Sequence, residues 1–258
     1  VVPESVSDPG KYYRNNVLGS LNLIECCEEA GVGLFVFSSS AAVYGNPAKI
    51  PVHEEAPTTP INPYGRTKLI TEWTLKDFAE RTGSNLPLRY VALRYFNVAG
   101  ASLDGALGQA TPEATHLIKV ACEAACGKRD SVSIFGTDYD TEDGTCIRDY
   151  IHVEDLAAAH LVALDYLATG GNSVVLNCGY GHGYSVREVL DMVRKVSGND
   201  FSIRETGRRD GDPVCLISDN RSIRKLLTWA PQHNDLELIC STAFQWERAK
   251  QGPKSRKG

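Results

Sequence analysis

Short apolar runs alternate along this chain with longer segments of helical period, and that alternation limits the folds open to it. Leu34-Phe35-Val36-Phe37 is an unbroken apolar run, the pattern of a strand buried on both faces. It follows residues 8–30, which read as one helix: Asp8-Pro9 supplies a cap and a first-turn proline, and Gly31 closes it. Pro63 opens a helix over about 64–81, with a stop near Gly83. Residues 88–96 read as a strand, 116–126 as a helix and 132–135 as a strand. An Ala- and Leu-rich helix over 153–168 precedes a strand at 174–176. Ser185 caps a helix through Val196 that Gly198 ends. Strands near Ile203 and over 214–217, a helix around 223–227 and a helix over 236–250 complete the pattern. This order predicts an α/β protein with a mainly parallel, doubly wound sheet.

The chain has 258 residues, enough to enclose a sizeable core as one large domain or two small ones. Its 27 Lys+Arg against 32 Asp+Glu give a net charge of −5 with no basic stripe, so nucleic acid is not an expected partner. The one dense basic run, Lys254, Arg256 and Lys257, is short and terminal. No apolar stretch reaches the roughly 18 residues that a membrane span needs. The eight cysteines form no C-x-x-C pair, which predicts buried thiols in a reducing, cytoplasmic setting. The six histidines are dispersed, with His152 and His160 eight positions apart, so no metal site is expected.

The strongest local signal is Tyr64-Gly65-Arg66-Thr67-Lys68. Its i, i+4 spacing puts the phenol and the ammonium on one helix face. A free phenol has a pKa near 10 and is a poor base at pH 7, but a neighbouring cation favours the phenolate. The pair is thereby a candidate for removing a proton from a sugar hydroxyl. The same spacing also arises by chance on helix surfaces. Ser38-Ser39-Ser40 follows the apolar run at 34–37, at the carboxyl end of a predicted strand, where open α/β sheets place ligands. An ordinary strand-to-loop turn accounts for the serines equally well when they are taken alone. The polar loop 138–148 is long, and the connections lengthen after Asn97. Long ordered loops on such a scaffold carry substrate contacts, which divides the chain functionally near residue 97.

Four motifs in order, Ser38-Ser39-Ser40-Ala41-Ala42-Val43-Tyr44-Gly45, Pro63-Tyr64-Gly65-Arg66-Thr67-Lys68, Arg94-Tyr95-Phe96-Asn97 and residues 141–153, resemble those of the UDP-glucose 4-epimerase family of extended short-chain dehydrogenase/reductases. The likeness runs from about Glu4 to the final helix. It implies a Rossmann-like doubly wound sheet with a smaller α/β substrate domain. Residues 1–97 and 152–170 would form part of the NAD-binding domain, and 98–151 and 171–258 the UDP-sugar domain. It implies NAD as cofactor, a UDP-sugar as substrate, and a homodimer. The implied catalytic residues are Tyr64 as base, Lys68 as its partner and Ser40 as an assisting hydroxyl. Asn15, Ser38, Tyr95 and Phe96 join Tyr64 and Lys68 on the cofactor side. Ser40, Asn97, His116, Leu117, Phe135, Arg148, Tyr150, Arg209, Asp212 and Leu216 fall on the substrate side.

The residue types suit those roles. Arg148 and Arg209 can hold a diphosphate through charge-assisted hydrogen bonds, Asp212 can accept from ribose hydroxyls, and Phe135 offers uracil an apolar face. Without the resemblance, Arg148 reads as a surface partner of Asp149 or Asp143. Relatives often carry Asn at the position of His116, and Leu216 is neither the large Tyr nor the small Cys of relatives. UDP-N-acetylglucosamine and UDP-glucuronate therefore remain alternative substrates. Gly179-Tyr180-Gly181-His182-Gly183-Tyr184 imitates a dinucleotide fingerprint, but Tyr184 stands where the third glycine belongs, and a tight turn feeding the Ser185 cap is the competing reading. The family's glycine-rich fingerprint would lie upstream of Val1, within about 80 preceding residues. A chain complete as given is expected to be a noncatalytic sugar-nucleotide-binding fragment.

Overall fold

The computed structural model of the chain describes residues 1–82, 87–209 and 211–250. The expected helix stop near Gly83 and the basic residues Lys254, Arg256 and Lys257 lie outside them. In chain order the elements begin with α1 (Val2–Ser7), α2 (Pro9–Tyr12), a π-helical stretch Tyr13–Leu18, α3 (Gly19–Glu29), β1 (Leu34–Ser40), a 3-10 turn Ala41–Tyr44, α4 (Pro63–Glu80), β2 (Arg89–Tyr95) and β3 (Asn97–Ala99). There follow α5 (Leu117–Ala125), β4 (Ser131–Phe135), β5 (Ile147–Arg148), β6 (Tyr150–His152), α6 (Val153–Ala168), β7 (Val174–Cys178) and β8 (Tyr184–Ser185). The order closes with α7 (Val186–Ser197), β9 (Ser202–Thr206), β10 (Cys215–Leu216), α8 (Arg221–Leu227) and α9 (Leu236–Ala249). No helix among the described residues is long and apolar enough to cross a membrane.

Two compact units divide these elements: Val1–Phe96, Leu156–His182 and Leu216–Ala230 make the first, and Asn97–Asp155, Gly183–Cys215 and Pro231–Gly258 the second. The first holds a three-stranded parallel sheet in the order β1-β2-β7. Leu34 stands opposite Arg89 and Ser40 opposite Tyr95, while Val91 faces Val174 and Tyr95 faces Cys178. One face buries Phe37, Leu88, Tyr90 and Ala92 against Ile24 and Leu75. A second cluster joins Ala41, Val43, Tyr44, Val52 and Leu69 with Phe96 and Leu216.

Three local expectations change. The helix expected over 8–30 is interrupted by the π-helical stretch, where Gly19 N–H bonds the Arg14 carbonyl five residues back. Asp8 still caps the turn that follows it, through Lys11 N–H. The serine run is not a loop: Ser38, Ser39 and Ser40 are the last three residues of β1. Leu34, Phe35 and Val36 are half-buried, not enclosed on both faces.

Serine in a strand is stable here because Ser39 faces a buried ion pair. Glu72, from α4, is 4% exposed, and Arg94, from β2, is 6% exposed. The guanidinium holds the carboxylate with two hydrogen bonds, Nη2 to Oε2 at 2.6 Å and Nε to Oε1 at 2.9 Å. The Ser39 hydroxyl donates to the same carboxylate. Arg94 Nη1 reaches Tyr44 Oη at 3.0 Å and the Glu54 carbonyl at 3.2 Å, and Tyr44 donates onward to Asn177 Oδ1 at 2.7 Å. A buried charge pair survives when every polar atom is satisfied in this way.

The second unit pairs β3 with β6 and β4 with β9, both parallel, and β5 with β8 antiparallel. Helices α5, α7 and α9 pack on one another. Ser185 and Glu188 form a full capping box on α7, and Gly198 ends it in the left-handed conformation. In the stretch 179–183, Gly181 takes a positive φ and Asn220 Nδ2 donates to the Gly179 carbonyl at 2.9 Å. These are the features of a turn.

Removing Glu72 leaves Arg94 buried and unpaired. Glu72→Ala is expected to cost about 3–5 kcal/mol in chemical denaturation, and the apolar double variant Glu72→Met/Arg94→Met markedly less than that.

Candidate active site

Helix α4 presents Tyr64 and Lys68 from its first turns. Asn62 caps it by accepting from Gly65 N–H at 2.8 Å, and Pro63 starts it. Gly65 is required by packing: a Cβ there would stand 2.5 Å from the Ala42 carbonyl oxygen. The missing side chain lets the helix start sit against the turn that follows Ser40. Tyr64 N–H donates to the buried Ser5 hydroxyl at 3.2 Å.

The side chains meet at the carboxyl ends of β1 and β2. Ser40 favours the ionised form of the Tyr64 phenol. Lys68 Nζ donates to the Ser38 carbonyl at 2.8 Å and lies 5.8 Å from the centre of the Tyr64 ring. Tyr95, opposite Ser40 in the register, is held up in pKa by burial, which Ser38 opposes. Ser38 Oγ also lies 2.8 Å from His160 Nε2, whose Nδ1 sits 2.8 Å from the Leu156 carbonyl. An Nδ1–H donated to that carbonyl leaves Nε2 to accept from the serine. Sequence reasoning missed His160 as a support, since it is 122 residues from Ser38. It also missed Tyr12, whose ring meets the Tyr64 ring edge-on with centroids 6.4 Å apart.

The electrostatics differ from the expectation that Lys68 depresses the Tyr64 pKa. Burial pushes the Tyr64 phenol up to about 12; Tyr95 adds to this, and the Ser40 hydrogen bond opposes it. Burial likewise lowers the Lys68 ammonium. Taking both groups out of water outweighs their mutual attraction at this separation.

The other expected residues divide by unit. In the first, Asn15 is exposed on the π-helical stretch and donates to Asn16 Oδ1 at 3.0 Å. Phe96 and Leu216 are buried together in the core cluster with Tyr44 and Val52. In the second, Asn97, His116, Leu117 and Tyr150 line one small pocket with Lys119 and Trp246. Gln109 Nε2 lies 2.9 Å from His116 Nδ1, and burial lowers the pKa of that imidazole. Arg148 Nη2 lies 3.9 Å from Asp212 Oδ1. The Arg209 guanidinium stacks on the face of Phe135, 3.8 Å from the ring centre. That face was expected to receive uracil, so Arg209 must move before a base can lie on it.

Residues 1–179 match the model of the NAD dependent epimerase/dehydratase family. A UDP-glucose 4-epimerase of Azospirillum brasilense is 55% identical over 249 residues, which cover 96% of this chain and 70% of that one. The chain belongs to the NAD dependent epimerase/dehydratase family. It is an enzyme of that family with a Rossmann fold, and NAD is the cofactor. The crystal structure of the Brucella ovis UDP-glucose 4-epimerase in complex with NAD matches with a TM-score of 0.91 at 44% identity, covering 96% of this chain and 75% of that one. The UDP-Glc/GlcNAc 4-epimerase of Campylobacter jejuni matches with a TM-score of 0.81 at 55% identity, covering 96% and 74%. The chain thus spans between 70% and 75% of the length of these relatives.

The residues present fit the nicotinamide-ribose end of NAD. Among the described residues Lys68 has no carboxylate partner, so a half-buried ammonium bonded to a carbonyl keeps donors for ribose hydroxyls. The Tyr64 and Phe37 rings stand beside it, with Nζ 5.8 and 5.1 Å from their centres.

With no ligand bound, spectrophotometric titrations of the chain and of Tyr64→Phe are expected to coincide below about pH 11, one unit under the raised pKa. A difference centred near pH 10 would mean that burial does not hold the phenol neutral.

Proposed function

We propose that this enzyme inverts C4 of a UDP-hexose, interconverting UDP-glucose and UDP-galactose through a 4-keto sugar. The observation that carries the reading is the pairing of Tyr64 and Lys68 one helical turn apart, with Lys68 Nζ 5.8 Å from the centre of the Tyr64 ring and Ser40 favouring the ionised phenol. In the loaded enzyme the positive charges of Lys68 and of bound NAD would favour the Tyr64 phenolate, which takes the proton of the C4 hydroxyl and later returns it, with Ser40 beside the oxygen. Lys68 opposes the burial penalty on the phenolate and orients the cofactor ribose. NAD, when bound, supplies the acceptor and donor of the C4 hydride. The hydride leaves one face and returns to the other, so the sugar is oxidised and reduced in turn and the net change is an isomerisation.

Arg148 and Arg209 hold the diphosphate, with Asp212 on the ribose of the nucleotide. Holding the substrate through UDP leaves the hexose able to turn over between the two half-reactions. This explains how both epimers are accommodated. The likeness to the Campylobacter jejuni enzyme, named for both UDP-Glc and UDP-GlcNAc, favours N-acetylhexoses as a second substrate class.

With NAD present, Tyr64→Phe is expected to lower kcat for UDP-galactose by about 10²–10⁴-fold while UDP binding by calorimetry stays unchanged. Turnover near that of the unaltered chain would refute the role. Arg209→Ala is expected to weaken UDP binding by about 10- to 100-fold. An unchanged dissociation constant would remove Arg209 from the diphosphate site. Assays with UDP-N-acetylglucosamine separate the two substrate readings.

A further inference from the structure

We infer that His152, Glu154 and His233 form a binding site for a divalent cation of the zinc class. Two imidazoles and a carboxylate are a donor set that suits Zn²⁺. One candidate ligand atom from each of the three residues lies within 4.8 Å of the others. His233 Nε2 stands 3.3 Å from Glu154 Oε2. Two ligands at about 2.0–2.1 Å on a tetrahedral zinc ion are about 3.3–3.4 Å apart, so this pair already has the required spacing. The ligand atoms lie within 4.8 Å of one another, so bringing in the third donor takes a shift of at most about 1.5 Å.

Each of the three side chains is backed from behind. His152 is fully buried, and its Nε2 faces Thr242 Oγ1 at 3.3 Å. Its Nδ1 accepts from Glu154 N–H at 3.2 Å. Both contacts sit at or past the long end of the normal range. Gly100 makes room for the ring, because a Cβ there would come within 2.6 Å of His152 Cδ2. Glu154 uses Oε1 to accept from Leu103 N–H at 2.9 Å, which leaves Oε2 turned to His233. The Asp155 carboxylate accepts from the backbone N–H groups of Gln232 and His233, at 2.8 Å each. It thereby anchors the segment that carries His233. Support of this kind orients metal-ligating side chains.

Glu154 and His233 are half-buried, so a fourth position stays open to water. An isolated Glu154–His233 ion pair explains one contact, but not the second imidazole whose ring centre lies 5.0 Å from the first. The expectation of no metal site compared His152 with His160. The structure instead brings His233 to His152 from far along the chain. A bound ion would tie β6 to the segment before α9.

Isothermal titration of Zn²⁺ into the EDTA-treated, dialysed chain with its thiols kept reduced tests the site. One equivalent is expected, with a dissociation constant of about 1 µM or tighter. His233→Ala and Glu154→Gln, both half-buried positions, are each expected to weaken binding by at least about 10- to 100-fold without changing the circular dichroism spectrum in EDTA. Co²⁺ is expected to give the visible bands of nitrogen and oxygen ligation with no thiolate charge-transfer band. Binding no tighter than about 100 µM, unchanged binding in His233→Ala, or a thiolate band would each overturn the assignment.

Discussion

The Arg94–Glu72 ion pair is the constraint on which the geometry of the candidate site rests. It joins β2 to α4, and Ser39 ties the end of β1 to the same carboxylate. Three elements far apart in sequence are therefore fixed at one point. Side chains alternate along a strand. With Ser39 committed to Glu72, Ser38 and Ser40 turn to other partners, His160 and Tyr64. The same pair helps hold α4 so that Tyr64 and Lys68 arrive at the end of β1. Tyr44 and Asn177 extend the network toward β7, so the whole small sheet shares it.

Two cations in this unit face opposite conditions. Arg94 is buried with a full set of acceptors, and its hydrogen bonds to Glu72 outweigh the burial penalty and raise its pKa. Lys68 is half-buried beside a carbonyl and two aromatic rings, and burial lowers its pKa. The first arrangement stabilises the fold. The second leaves an under-compensated charge next to a phenol that burial keeps neutral. A ligand that brings hydroxyls and charge to that place is favoured by both groups at once. Perturbed ionisable groups gathered at strand ends in this way mark a functional site.

Much of this was legible in the sequence because the signals are local. The Tyr64-to-Lys68 spacing, the bounds Val153–Ala168 and the Ser185 cap with its Gly198 stop depend only on neighbouring residues, and the structure has them as read. What escaped depends on distant partners. The serine run looked like a loop because its polarity is only satisfied by Glu72, Tyr64 and His160. Phe96 and Leu216 also belong to one buried core cluster, which no local pattern reveals. Arg148 reads in sequence against the acids beside it, while the fold also brings Asp212, far along the chain, to 3.9 Å. The π-helical stretch also left no mark, since its residues have ordinary helical character.

In the second unit the pairing of β3 with β6 plays the part that the ion pair plays in the first. Its register sets Asn97 opposite Tyr150 and Ala99 opposite His152, and Asn97 N–H is held by the Asp149 carbonyl at 2.9 Å. One end of this short ladder therefore contributes Asn97 and Tyr150 to the pocket they share with His116 and Leu117. The other end contributes His152 to the cluster with Glu154 and His233. Tyr150 of the pocket and His152 of the cluster share the three-residue strand β6. Tyr150 is buried and its phenol is pushed up in pKa by that burial, which makes it a neutral donor. Slippage of β6 by one residue would turn Tyr150 and His152 to the opposite face together. The parallel pairing of two three-residue strands, weak by itself, is thus what this pocket and the histidine cluster have in common.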